Sequence, residues 1–192
     1  MGKVMDIERR FFKSELRAED SKPVAGYGSV FNAQSEDLGG FREIIAPGAF
    51  DGRLDDDVRA LFNHDPNLIL GRTKSGTLKL SVDDEGLRYD VDFPNTTLAN
   101  DLRTSIQRGD VDQSSFAFTV DEDDFEERDG VIIRTIHKVK RLFDVSPVTY
   151  PAYADASVGV RSLENFLNKR GASSEIKELH KEQLEKLRNP NW

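Results

Sequence analysis

Between residues 22 and 150, apolar residues recur at every second position in short runs, the period of strands with one face buried. VAGYGSVF (24–31) is one such run, and its two glycines suit a bulge or a close backbone approach. FREIIAPGAF (41–50) is a shorter one that breaks at Pro47-Gly48. VRALFNH (58–64) sets Val58, Ala60 and Phe62 against Arg59, Leu61 and Asn63, and Asp65-Pro66 behind it signals a turn. TLKLSV (77–82) and LRYDVDF (87–93) predict the clearest hairpin. Its connection, DDEG (83–86), has Gly86 where a left-handed residue is expected.

The period changes once. TLANDLRTSIQRG (97–109) spaces Leu98, Leu102 and Ile106 by four, with a Thr cap before it and Arg108-Gly109 after it, so it predicts a helix. Strand periodicity then returns in DVDQSSFAFTV (110–120). Phe116, Phe118 and Val120 share one face, and Ser115, Ala117 and Thr119 the other. A long run, VIIRTIHKVKRLFDVSPV (131–148), is the last expected strand, and the turn-prone TYPAYADA follows it. Beyond residue 161 the pattern is helical: a turn or two in LENFLNKR, a linker RGASS, then an amphipathic helix EIKELHKEQLEKLR with Ile176, Leu179, Leu184 and Leu187 on one stripe. These patterns predict a mainly β, α+β chain. It divides into an N-terminal arm or edge strand (1–22), a β domain (23–160) and a C-terminal helical tail (161–192).

Charge and composition narrow the possible functions. The formal net charge is −8, which argues against a general nucleic-acid binder, because phosphate affinity needs clustered Lys and Arg. Much of the excess sits in DEDDFEERD (121–129), seven acids and one Arg, expected to be a solvated hairpin loop. The chain has no cysteine, which removes disulfides, thiolate catalysis and Cys-based zinc sites together. No apolar run approaches the roughly 20 residues that cross a bilayer, and the N-terminus lacks the apolar stretch of a secretory signal. A soluble, cytoplasmic protein is expected, with no cofactor, no metal and no membrane or nucleic-acid partner.

Candidate chemistry is scarce enough to name. Of the three histidines, His180 lies among charges on the tail and His137 inside a strand-like run. His64 ends a strand backed by Leu61 and Phe62, where a side chain is both oriented and reachable. Ser115 stands beside the small Ala117, with space next to its hydroxyl. Serine becomes a nucleophile when a base within hydrogen-bond reach takes its proton, and that base is most often a His oriented by a third group. Asp144, Asp65, Asp112 or His137 could be that group. Asp65 adjoins His64 in sequence, which rarely lets a side chain reach the neighbouring Nδ1. A metal hydrolase fits less well, because no second His stands at ligand spacing from His64.

The ordered segments IIAPGAF (44–50), LFNHDPNLILGRTKSGTLKL (61–80), DDEGLRYDVDFPNT (83–96), IQRGDVDQSSFAF (106–118) and LFDVSPVTYPAY (142–153) closely resemble the prohead serine proteases of tailed phages. The resemblance spans about residues 8 to 160. It implies His64 as general base, Ser115 as nucleophile, and Asp144, in the acid-V-S-P-V strand, as the residue that orients His64. Where the family usually reads SFGF, this chain has Ala117. A fold similar to the herpesvirus assembly proteases, a compact β-barrel wrapped by helices, is implied as well. In those enzymes the third member is a histidine, which keeps His137 as the alternative to Asp144. The implied activity is serine endopeptidase action inside the assembling procapsid, in the host cytoplasm. Its partners would be the major capsid protein with its scaffolding segment, the protease's own chain as a further substrate, and other copies of itself through self-association. The competing expectation is an inactive scaffold or capsid-binding assembly protein. An oxyanion hole is expected from backbone N–H groups near Gly71-Arg72 or at 145–152.

Overall fold

The computed structural model describes residues 6–13, 16–20, 22–150 and 157–169. Twelve elements are built on them. Nine are strands: β1 (Glu8–Lys13), β2 (Val24–Val30), β3 (Arg42–Ile45), β4 (Arg59–Phe62), β5 (Asp65–Arg72), β6 (Leu78–Val82), β7 (Gly86–Val91), β8 (Gln113–Arg128) and β9 (Val131–Val148). Helices α1 (Thr97–Arg108) and α2 (Ser157–Lys169) and a 3₁₀ turn at Thr73–Ser75 complete the set. The chain is mainly β with two described helices, an α+β fold.

Two sheets face one core. The larger runs β1-β8-β9-β4-β5, with β3 also paired to β9, and the smaller runs β2-β7-β6. Val24, Leu78, Leu87, Tyr89 and Val91 of the small sheet pack against Ala60, Leu70, Phe116, Phe118, Leu142 and Val145 of the large one, and Ala99, Leu102 and Ile106 of α1 close the same cluster. Among the described residues, neither sheet closes into the barrel that the resemblance implies. A barrel needs a continuous ladder around its circumference, whereas β1 and β5 remain edge strands of the large sheet. A bridge from Arg17 to Ala25 links the N-terminal segment to the small sheet through two hydrogen bonds of 2.8 and 2.9 Å.

The hairpin β6–β7 is present, but Gly86 serves a different purpose from the one its turn position suggests. It is not left-handed. A Cβ there would stand 2.0 Å from the Ser29 carbonyl oxygen, so glycine lets β7 pair closely with β2. In β2 the two glycines do accompany a bulge, between Tyr27 and Ser29. Helix α1 begins at the Thr96 cap, whose side chain accepts from the Ala99 N–H. It ends in a Schellman pattern, with Gly109 N–H on Ile106 O and Asp110 N–H on Ser105 O. That sharp stop aims the chain into β8.

The acidic run 121–129 is a strand and not a loop. β8 continues through it to Arg128, and the hairpin turns at Asp129-Gly130, both with positive φ, the geometry a tight Asp-Gly turn provides. Its charge is tolerated because alternate residues find partners. Asp123 binds the Arg134 guanidinium at 2.6 Å, and Phe125 stacks on Phe166 of α2 and meets Phe41 edge-on. Leu163 and Leu167 of α2 fill a second, smaller cluster there with Leu38 and Phe41. Helix α2 is longer than the turn or two that LENFLNKR suggests. The segment carrying Ile176, Leu179, His180, Leu184 and Leu187 lies outside the described residues.

Candidate active site

Three elements converge beside the centre of the large sheet. Ser115 comes from β8, which is held from its other face by the stacked Phe116 and Phe118 rings, 4.5 Å between centroids, and by Phe50 edge-on to Phe116. Each such aromatic pair adds about 0.5–1.5 kcal/mol beyond burial, so the strand that carries Ser115 has little freedom to shift. Ser115 pairs with Ser146 of β9, and Ala117 with Asp144. The β9 ladder skips Phe143, between the partners of Ala117 and Phe118, and this bulge sets the register in which Asp144 and Ser146 share Ser115's face.

His64 arrives on a tight turn. The sequence places a turn at Asp65-Pro66, but the chain reverses one step earlier, at Asn63-His64, and Asp65–Arg72 is a strand. Asn63 and His64 have φ of +54° and +57°, as a two-residue turn of the primed type requires. Holding a non-glycine residue there costs about 1 kcal/mol. Asn63 secures it from both sides: its N–H donates to Pro147 O at 3.1 Å, and its Oδ1 accepts from the Thr149 N–H at 2.9 Å. The alternation expected over 58–64 fails after Ala60, because register shifts on either side of Leu61 rotate the strand into this turn.

The side chains then meet in a row. Ser115 Oγ lies 2.7 Å from His64 Nε2, and His64 Nδ1 lies 2.5 Å from Asp144 Oδ1. Ser115 is fully buried, and the His64 and Asp144 side chains are 6% and 9% exposed. A carboxylate so sheltered needs hydrogen-bond donors; Asp144 has two, His64 and the Ser146 hydroxyl at 2.8 Å. With Nδ1–H donated to Asp144, Nε2 is left as an acceptor facing Ser115, the tautomer a general base requires. Arg10 O, on neighbouring β1, is a second acceptor for the single Ser115 proton, at 2.9 Å.

Other sequence candidates lie elsewhere. His137 stands seven residues back along β9, roughly 23 Å of strand, where its Nε2 meets Asp124 in an exposed pair. Asp65 caps its own turn by accepting from the Asn67 N–H, and Asp112 is exposed. The Arg72 N–H, an expected oxyanion donor, is committed to Thr77 Oγ1, and that of Thr149 to Asn63. Ser114 has a role its position at the strand start did not suggest. It shares the Phe116 face, is fully buried, and lies 2.6 Å from the Tyr89 hydroxyl of the opposite sheet. Asn63, Ser146 and the Arg10 carbonyl have no place in the sequence reading; the signal available for Ser146 is its spacing of two from Asp144 on one strand, which gives a shared face but no contact. Among the described residues, no group of three or more His, Asp or Glu side chains is arranged to hold a metal ion, and no helix is long and apolar enough to cross a membrane.

Residues 11–169 match the family described as caudovirus prohead serine protease. The chain belongs to that family. It is also 31% identical over 160 residues to the prohead protease of Enterobacteria phage HK97, across 74% of this chain and 65% of that relative. The aligned region thus spans just under two thirds of the relative's own length. No solved structure matches the chain.

Proposed function

We propose that this prohead protease homologue is a serine endopeptidase that cleaves the scaffolding segment of its phage's major capsid protein, and its own chain, during head maturation. The row Ser115–His64–Asp144 carries this reading. Ser115 Oγ attacks the scissile carbonyl carbon while His64 Nε2 takes its proton. Asp144 holds the ring through Nδ1–H and balances the imidazolium charge. The tetrahedral adduct then breaks its C–N bond, and Nε2–H passes its proton to the departing amine. Water, deprotonated by His64, releases the acyl group from Ser115. The attack requires the Ser115 proton to point at Nε2 and not at Arg10 O.

The capsid substrate is supported by the family and by the relative's description as a prohead protease. That setting supports a location inside the procapsid, in the host cytoplasm. Kinship with the herpesvirus assembly proteases is supported by the chain order His, Ser, third residue. The deciding experiment is intact mass after co-expression with the matching major capsid protein. Truncation by the wild type that vanishes in Ser115→Ala is the expected result. Full-length capsid protein in both, within normal shells, would move the chain to the scaffold reading.

A further inference from the structure

We propose that Ser146 is a positioning residue, one that fixes the rotation of the Asp144 carboxylate so that its Oδ1 stays in line with His64 Nδ1. The inference rests on the peptidase reading above. Ser146 is fully buried on β9, two residues beyond Asp144 and directly opposite Ser115 in the β8–β9 ladder. Strand alternation puts residues 144 and 146 on one face, with Val145 turned into the core. The Ser146 Oγ lies 2.8 Å from Asp144 Oδ1 and 3.4 Å from His64 Nδ1.

The proton count decides who donates. A base facing Ser115 needs Nε2 unprotonated, so Nδ1 carries the ring proton and gives it to Asp144. A carboxylate only accepts, so the single Ser146 O–H must also point at Oδ1. Asp144 Oδ1 thus receives two donors from different directions. The terminal torsion of an aspartate is broad and soft, and its short stem leaves carboxylate rotation as the chief means of adjusting its reach. Two donors on one oxygen define that rotation, whereas one donor does not. Ala117, opposite Asp144, leaves the space in which the carboxylate sits.

Ser146→Ala removes the donor, and Ser146→Cys keeps nearly the same volume while exchanging a strong donor for a weak one. Two measurements on the full chain test the proposal without a known cleavage sequence. One is the rate at which a fluorophosphonate probe labels Ser115, with Ser115→Ala as the blank. The other is the low-field proton resonance of His64 Nδ1–H. Labelling is expected to fall about tenfold in both variants, the weight of one hydrogen bond to a charged group. The resonance is expected to move upfield in both. Turnover of the capsid protein should show the loss in kcat with KM unchanged. Wild-type labelling and an unmoved resonance in Ser146→Cys, whatever its thermal stability, overturn the proposal. Labelling that is absent from the wild type or persists in Ser115→Ala sinks the peptidase reading instead, and the resonance alone then decides whether Ser146 orients the pair.

Discussion

The imidazole of His64 and the carboxylate of Asp144 are 80 residues apart in the chain and 2.5 Å apart in the fold. Two pieces of backbone bring them there: a left-handed turn ahead of β5 and a bulge in β9. Replacing Asp144 by Asn keeps the shape but offers an amide that favours the wrong ring tautomer, and fluorophosphonate labelling of Ser115 should fall by about 10³- to 10⁴-fold. His137→Ala, which removes a partner of Asp124 on an exposed strand face, should leave labelling within about twofold. The opposite ranking would hand the third position to His137.

Asn63 separates backbone strain from side-chain clamping. Asn63→Gly keeps the positive φ freely but loses the bond to the Thr149 N–H, whereas Asn63→Ala loses both. In thermal or denaturant unfolding, Asn63→Ala should cost about 1–2 kcal/mol more than Asn63→Gly. Both should slow Ser115 labelling, because the turn that presents His64 keeps its backbone bond to Pro147 but loses its side-chain tie to Thr149. Equal stability of the two variants would show that the turn relaxes instead of holding its strain.

Ser114 and Ser115 should separate cleanly. Ser114→Ala leaves the buried Tyr89 hydroxyl without its partner and should cost about 1–3 kcal/mol in denaturant unfolding while labelling of Ser115 persists. Burial already holds the Tyr89 phenol well above its ordinary pKa, so it stays neutral throughout the accessible range. The double variant Ser114→Ala with Tyr89→Phe should cost less than the two single changes added together. Lost labelling in Ser114→Ala, with the fold intact, would shift the nucleophile by one residue.

Below β1 lies a buried ion network. Arg134 bonds Glu8 at 2.7 Å and Glu43 at 3.0 Å, and Arg10 bonds the same two acids at 2.5 and 2.8 Å. Burial pushes the Glu8 carboxyl up, but Arg10 and Arg134 together outweigh it and hold it below its ordinary value of 4.5. A depressed carboxyl stabilises the fold fully above the unfolded value and ceases to as pH falls through the folded one. Stability measured by denaturant titration should therefore decline below about pH 4.5, and Glu8→Gln should flatten that decline. Arg134→Met leaves Glu8 and Glu43 to share Arg10 alone, one buried negative charge in excess, and should cost about 3–5 kcal/mol at neutral pH. A flat acid limb in the wild type would show that the network contributes nothing to stability in this range.

Much of this was legible beforehand because strands and helices announce themselves locally. Period two located β2, β3, β6, β7 and β9 to within a few residues, and period four with caps located α1. The acidic strand was misread since charge density suggests solvent. The cue against it was Asp129-Gly130, a hairpin turn whose alternating neighbours pair with Arg134 and pack on Phe166.

What the sequence determined by itself was the set of chemical groups and their faces: Ser115 opposite the phenylalanine row, His64 at a strand end, Asp144 within an apolar run. Those properties depend on neighbours a few residues away, and short-range periodicity records them. Only the tertiary structure decided which acid meets which histidine, that Ser114 meets Tyr89, that Ser146 lies against Asp144 and Asn63 against Thr149, and that the sheets stay open. Each of these is a contact between strands distant in the chain, set by register, bulge and turn handedness. A one-residue slip turns every side chain to the other face, and no local pattern in the chain specifies that slip.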